Sequence, residues 1–413
     1  MNVLILHRIP YQKIDYHRGI DHERHEVTYF GKKEALATIP LGLRCKMIER
    51  PGAASAFEEG RSWLGASPQQ IDRIISLSEY ELLDAAYLRE WLGVPGAEVS
   101  QVSLARDKML MKEAVSQAGL RVPGFVSLPD FLASDGHASW RGKTVLKPLL
   151  GASSEDVVVF SGPNDAFAAI AAGRSGAAQL DSTRSPSNYE VEEFIEGAIL
   201  HFDGLVHRGC LLAMTASEYI GTCLSFANGE PLGSYHYPFT DAERQWVQRV
   251  LSATAIHNGS FHLEAIRHGP ELVFLEIANR AGGADVVRTF ELATGIHLPT
   301  HELRILIDEP YNVLEHSISN GRWHGWFVFP GHHLKEGMNR GLVGANEFRG
   351  NEAVVHWHEL DIGAPLVRDI TYQSHEVPLA GVVATRCAED TRAWIERLFR
   401  SASYPFETLQ VTA

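Results

Sequence analysis

Phe261-His-Leu-Glu-Ala-Ile-Arg-His-Gly-Pro-Glu-Leu-Val-Phe-Leu-Glu-Ile-Ala-Asn-Arg-Ala-Gly-Gly283 is the stretch on which the reading of the fold turns. Two apolar runs, Ser260 to Ile266 and Leu272 to Ile277, are joined by His268-Gly269-Pro270, which predicts an antiparallel hairpin. That hairpin sets Glu264 near the middle of one strand and Glu276 at the end of the other. Two acids on adjacent strands are able to share a hard cation such as Mg²⁺, which takes oxygen ligands and bridges carboxylates to nucleotide phosphates. Arg280, four residues beyond Glu276, offers a guanidinium to a phosphoryl or carboxylate charge. The alternative is a hairpin with one solvated face, on which both acids are surface charges and Arg280 pairs with either. Against it stands the setting of Glu276 in Val-Phe-Leu-Glu-Ile-Ala, where a carboxylate is costly to bury without a cation or hydrogen-bonding partner.

Upstream of the hairpin, Val3 to Leu6 and Ile71 to Ser76 read as strands, and Glu79 to Leu92 as a helix, an alternation that suggests an α/β unit. Lys108 to Gln117 reads as a helix ended by Gly119 and Pro123. Thr144 to Leu146 is a short strand running into Lys147-Pro148, followed by the small-residue turn Gly151-Ala-Ser-Ser154 and a return strand, Val157 to Phe160. Together these make a hairpin-like flap. Ser182 to Asn188 is a polar loop and Tyr189 to Ile195 a strand; strands recur at Gly209 to Met214, and Ala380 to Ala384 leads into a last helix, Ala388 to Phe399.

With 413 residues the chain needs two or three packed units. Hydrophobic residues at 45% and charged residues at 21% are those of a globular protein, so long disorder and fibrous repeats are excluded. A formal net charge of -14 argues against nucleic acid or an anionic membrane as partner. A bound nucleotide remains allowed, because a few local cations and N–H groups hold phosphate. Four scattered cysteines show no zinc or disulfide spacing, and the start lacks a basic region followed by a long apolar run. Both fit a cytoplasmic protein.

On these residues the chain resembles the ATP-grasp superfamily of carboxylate–amine ligases, over about residues 70–305. The family's first phosphate-binding lysine, at a helix start, matches Lys108 in Arg-Asp-Lys-Met-Leu-Met-Lys. Its second, at a strand end before a glycine-rich flap, matches Lys147 in Val-Leu-Lys-Pro-Leu-Leu-Gly-Ala-Ser-Ser. The resemblance implies an α/β (α+β) architecture in three parts. These are a Rossmann-like N-terminal domain (1–104), a lid or flap domain (105–190) and a larger mixed-sheet C-terminal domain (191–413). It implies ATP and Mg²⁺, with Mn²⁺ as a substitute. Gly151, Ser153 and Ser154 would close over the phosphates. Glu192, Glu193, Phe194, Ile195 and Glu196 would form the hinge, with the backbone of Glu193 and Ile195 on the adenine edge and Phe194 and Ile195 as its walls. Glu264 and Glu276 become the metal acids and Arg280 the catalytic arginine.

Two departures stand out. The family's common pattern has asparagine two residues after the second acid, where this chain has Ala278 and carries its amide at Asn279, the remaining metal candidate. Ala198 and Ile199 occupy the usual places of a ribose-binding acid, leaving Glu196. Gly or Ala followed by Arg-x-Gly-Gly is similar to the amino-acid ligases that make dipeptides. The implied substrates are ATP, a small carboxylate and an amine, with amino acids favoured; a homodimer is allowed. A carboxylase of the biotin-carboxylase type and a nucleotide-binding regulator without turnover are the competing readings.

Other lysines, Lys112 and Lys143 among them, are expected to be solvated surface charges. His236 in Ser-Tyr-His-Tyr-Pro, and His201 with Asp203, are expected to pack rather than to react. Gly142-Lys143-Thr144 lacks the leading glycine of a P-loop, since position 137 is His137.

Overall fold

The computed structural model describes residues 1–151, 153–309 and 321–405. Ala152 of the expected flap turn lies outside the described residues.

Three sheets follow one another along the chain. The first is parallel, in the order β3-β2-β1-β4, built from β1 (Asn2–His7), β2 (Glu26–Gly31), β3 (Lys46–Glu49) and β4 (Arg73–Ile75). Parallel strands need both faces covered, and β1 shows it: Val3 and Ile5 enter one apolar cluster, Leu4 and Leu6 another. The helix Leu82–Leu92 covers one of those faces with Ala85 and Leu88 and is preceded by a short turn, Glu79–Glu81.

The second sheet is antiparallel, in the order β5-β8-β6-β7, with β5 (Phe125–Ser127), β6 (Thr144–Pro148), β7 (Val158–Phe160) and β8 (Tyr189–Glu193). β6 and β7 form the flap hairpin. Because β8 ends at Glu193, the boundary expected at 190/191 falls inside a strand of this sheet. The segment read as a loop from Ser182 contains the end of the helix Ala178–Thr183 and a helical turn, Pro186–Asn188. The helix Lys108–Gln117, capped by the Asp107 carboxylate at its start, ends as expected, with Gly119 at φ +72°.

The third sheet carries the remaining strands: β9 (Ala198–His207), β10 (Cys210–Ile220), β11 (Leu232–Tyr237), β12 (Gly259–His268), β13 (Glu271–Ala278), β14 (Trp323–Phe329), β15 (Val354–Glu359) and β16 (Leu379–Thr385). Its order is β13-β12-β9-β10-β11-β14-β16-β15, and every pairing in it is antiparallel. Cross-strand partners share a face, so the register lays Glu276, Glu264, His201, Ser217 and His236 along one face. The opposite face meets the helix Asp241–Ala253 and the helix Lys108–Gln117 through Phe202, Leu263, Val247 and Met111.

No helix among the described residues is long and apolar enough to cross a membrane.

Candidate active site

Glu264 and Glu276 are direct partners across the β12–β13 hairpin, and a β-bulge follows between Glu264 and Ala265. Alternation along β13 sends Glu276, Ala278 and Arg280 to one side and Ile277 and Asn279 to the other. The first side opens onto a cleft of about 880 Å³ whose lining includes Lys108, Gly151, Ser153, Glu264, Glu276 and Arg280. Three parts of the chain distant in sequence, around residues 108, 151–153 and 264–280, therefore converge there.

Lys108 reaches across from its helix, with Nζ 3.2 Å from Glu276 Oε2 and donating to the Gly151 carbonyl at 2.9 Å. It thus ties the metal-acid candidate to the root of the flap. Burial alone would raise the Glu276 carboxyl, but the ammonium groups of Lys108 and Lys147 outweigh it and hold the group down at about 2. A carboxylate that stays ionised in a recess facing a second carboxylate suits a hard divalent cation. The Glu264 carboxylate accepts from the Tyr219 hydroxyl at 2.8 Å and lies 3.4 Å from His262 Nε2. His262 Nδ1 is 2.8 Å from Asp203 Oδ1, whose other oxygen meets His201 Nδ1 at 2.5 Å, while His201 Nε2 meets Ser234 Oγ at 2.6 Å. This buried chain backs Glu264. Burial opposes charge on His262, but the Asp203 carboxylate pushes it up to about 10. His201, Asp203 and His262 also have the donor types of a metal site, yet all are engaged in this chain.

Arg280 Nε donates to Glu79, and the same carboxylate accepts from Arg106. Arg106 also donates to the Leu150 carbonyl at 3.3 Å. Burial lowers both guanidinium groups, and Arg280 beside it helps to bring Arg106 to about 10. Glu79 and Arg106 went unread in the sequence. So did Tyr219 and His262; His-x-Glu at period two on a strand was a signal for the latter.

Several expected residues are placed otherwise. Asn279 turns its amide away from the cleft, donating to the Ser260 carbonyl at 2.8 Å and the Asn258 carbonyl at 3.2 Å, so it does not join the acids. Lys112 is no surface charge: fully buried, its Nζ lies 2.6 Å from both Glu190 and Glu192. Lys147 completes the cluster, 2.7 Å from Glu192 and 3.8 Å from Glu190. Burial disfavours the charge of Lys147, but the two carboxylates raise its pKa, and Glu192 is held low in spite of its own burial. Glu192 is therefore a structural counter-ion inside the flap sheet, with one carboxylate oxygen on Lys112 and the other on Lys147.

At the hinge, the Glu193 N–H donates to Gly124 O at 2.7 Å and the Phe194 N–H to Lys143 O at 3.1 Å. The Ile195 and Glu196 amides are left without an acceptor among the described residues. Lys143 sits over the Phe194 ring at 5.1 Å and pairs with Glu196 at 3.2 Å, both side chains being exposed. Glu196 is not among the residues that line the cleft. In the flap, Ser153 and Ser154 are left-handed, at φ 58° and 56°, so consecutive N–H groups turn into a concavity of the kind that holds anions.

No family model matches the chain. In sequence it is 26% identical over 266 residues to the L-arginine-specific L-amino acid ligase of Bacillus subtilis, a match covering 63% of this chain and 63% of that relative, under two thirds of its length. In structure it is similar to the L-amino acid ligase of Bacillus licheniformis, with a TM-score of 0.69, 18% identity and 97% of each chain covered. It is also similar to phosphoribosylglycinamide synthetase of Anaerococcus prevotii, with a TM-score of 0.64, 13% identity, and coverage of 97% of this chain and 98% of that one. The biotin carboxylase domain of the Hydrogenobacter thermophilus 2-oxoglutarate carboxylase, solved with MgADP, ADP and bicarbonate, has a TM-score of 0.63, 13% identity, and coverage of 97% and 90%. The chain has the fold of these solved structures, the ATP-grasp fold.

Proposed function

We propose that the protein is an ATP-dependent carboxylate–amine ligase that forms an amide, a dipeptide or amino-acid amide, through an acyl phosphate and releases ADP and phosphate. One observation carries this reading: Glu264 and Glu276 face each other across a hairpin, in the same cleft as Lys108, Arg280 and the flap. The sequence likeness to an L-amino acid ligase supports it.

Glu264 and Glu276 would hold Mg²⁺, which supplies charge neutralisation at the transferring phosphoryl group. Lys108 and the N–H groups around Ser153 and Ser154 grip phosphate oxygens, and the flap excludes water that would otherwise hydrolyse the acyl phosphate. Arg280 balances the charge that develops as a carboxylate oxygen attacks the γ-phosphorus, and afterwards steadies the tetrahedral oxyanion formed by the attacking amine. The Glu193 carbonyl and the Ile195 amide would meet the adenine edge, and the reaction belongs to the cytoplasm.

A carboxylase reading draws support from the similar domain solved with MgADP and bicarbonate. Phosphate release from ATP and Mg²⁺ separates the two: stimulation by amino acids supports the ligase, and stimulation by bicarbonate alone supports the carboxylase.

A further inference from the structure

The cleft does not end at the two acids. Sheet order fixes a direction along its floor, starting with the flap and Lys108 beside β13, then Glu276 on β13, Glu264 on β12 and Tyr219 on β10. Strands lie ~4.8 Å apart, so β10 stands ~14 Å from β13. Nucleotide phosphates held by the flap and Lys108 occupy one end, and a carboxylate to be phosphorylated must lie between the acids and Arg280. What is attached to that carboxylate extends toward β10 and β14.

There the lining changes character. Tyr219, Cys223, Trp326 and Tyr372 line the same cleft, above an apolar cluster that includes Phe226, Val286 and Val382. Trp326 is 3% exposed, the Tyr219 and Trp326 rings meet edge to face at 6.1 Å, and Tyr372 stacks on Phe226 at 4.6 Å. None of the four lining side chains is an acid or a base that would pair with an ionic substrate group. Of the acids lining the cleft, Glu264 already accepts from Tyr219 and Asp285 pairs with Arg288 at 3.7 Å. Gly283 lines the same cleft, and a side chain there would meet nothing within 4 Å.

We infer that this box receives the side chain of the carboxylate substrate, and that the substrate is an amino acid with a large apolar or aromatic side chain rather than arginine. The inference rests on the ligase reading. A guanidinium in the box would lose its water without gaining a carboxylate of its own, whereas an apolar side chain gains burial and shape contact.

Hydroxylamine tests the carboxylate site alone, because it attacks an acyl phosphate to give the hydroxamate and free phosphate, whatever the natural amine. With ATP, Mg²⁺ and hydroxylamine, kcat/KM for L-leucine and L-phenylalanine should exceed that for L-arginine and L-aspartate by tenfold or more, about the range one apolar pocket provides. Cys223→Phe, which fills the box, should lower kcat/KM for L-phenylalanine at least tenfold relative to L-alanine. Equal or better turnover of L-arginine overturns the inference, as does an unchanged ratio in the variant. Calorimetric titration with a non-hydrolysable ATP analogue and Mg²⁺ separates the two readings. L-phenylalanine binding without hydroxamate formation sinks the ligase and keeps the box; absence of both binding and turnover sinks the box.

Discussion

Arg280, two residues beyond the end of β13, is held through its Nε by Glu79, which opens the helical turn that follows β4. The same carboxylate takes Arg106, whose second hydrogen bond goes to the flap root at Leu150. One part-buried acid thus positions the arginine assigned to the reacting group and, through Arg106, links all three sheets. Glu79→Gln should lower kcat by about 10- to 100-fold, the cost of a misplaced charged group, with ATP affinity changed less than about twofold. Single-turnover kinetics and nucleotide titration check it; equal losses in kcat and in ATP affinity would deny Glu79 a positioning role.

The buried cluster of Lys112, Lys147, Glu190 and Glu192 predicts a stability effect. Lys112→Met leaves two carboxylates against one ammonium inside the flap sheet, and breaking such a buried pair costs about 3–5 kcal/mol. Denaturant unfolding should show that loss. A change under about 1 kcal/mol, as for an exposed lysine, would contradict the buried assignment.

The contrast between Lys112 and Glu276 shows what was legible in the sequence. The β12–β13 hairpin could be read because its apolar runs, its turn and its acids lie within one short segment, and alternation fixes which residues share a face. The same parity rule, applied one step further, would have sent Asn279 to the far side with Ile277. Lys112 was misread because nothing local reveals its partners, which lie 78 and 80 residues away on another sheet. Glu79 and Arg106 were hidden for the same reason: Glu79 meets Arg280 across 201 residues. Strands β9, β11 and β14 escaped notice because His, Asp, Ser and Gly interrupt their apolar pattern, and in β9 and β11 those polar residues build the chain behind Glu264.

That parity gives a paired prediction. Glu276→Gln should abolish Mg²⁺-dependent phosphate release with the fold intact, while Asn279→Ala should leave turnover within about twofold and cost ~1 kcal/mol for its lost hydrogen bonds. Phosphate release and thermal melting on both variants check this. Loss of metal dependence in Asn279→Ala would return the amide to the metal site.

Acid should destabilise the fold through buried histidines. Burial lowers His7, His301 and His324 to about 4 and His236 to about 3. Between about pH 6.5 and 4 the unfolded chain therefore binds protons that the native state refuses, and stability falls as pH falls. Burial raises Glu302 to about 7 and also raises Glu81, Asp84, Glu190 and Asp285, which act in the opposite direction. It lowers His22, His297, His333 and His356 too, so eight lowered histidines stand against five raised acids. Calorimetry should show the melting temperature dropping across this window, and a flat profile would contradict it.

The most direct measurement supplies the protein with ATP, Mg²⁺ and a mixed amino acid pool, and follows phosphate release together with products by mass spectrometry. The account predicts one ADP, one phosphate and one amide formed in equal amounts, with none when either the amino acids or Mg²⁺ are withheld. ATP bound without phosphate release, or phosphate released with no amide product, would contradict it.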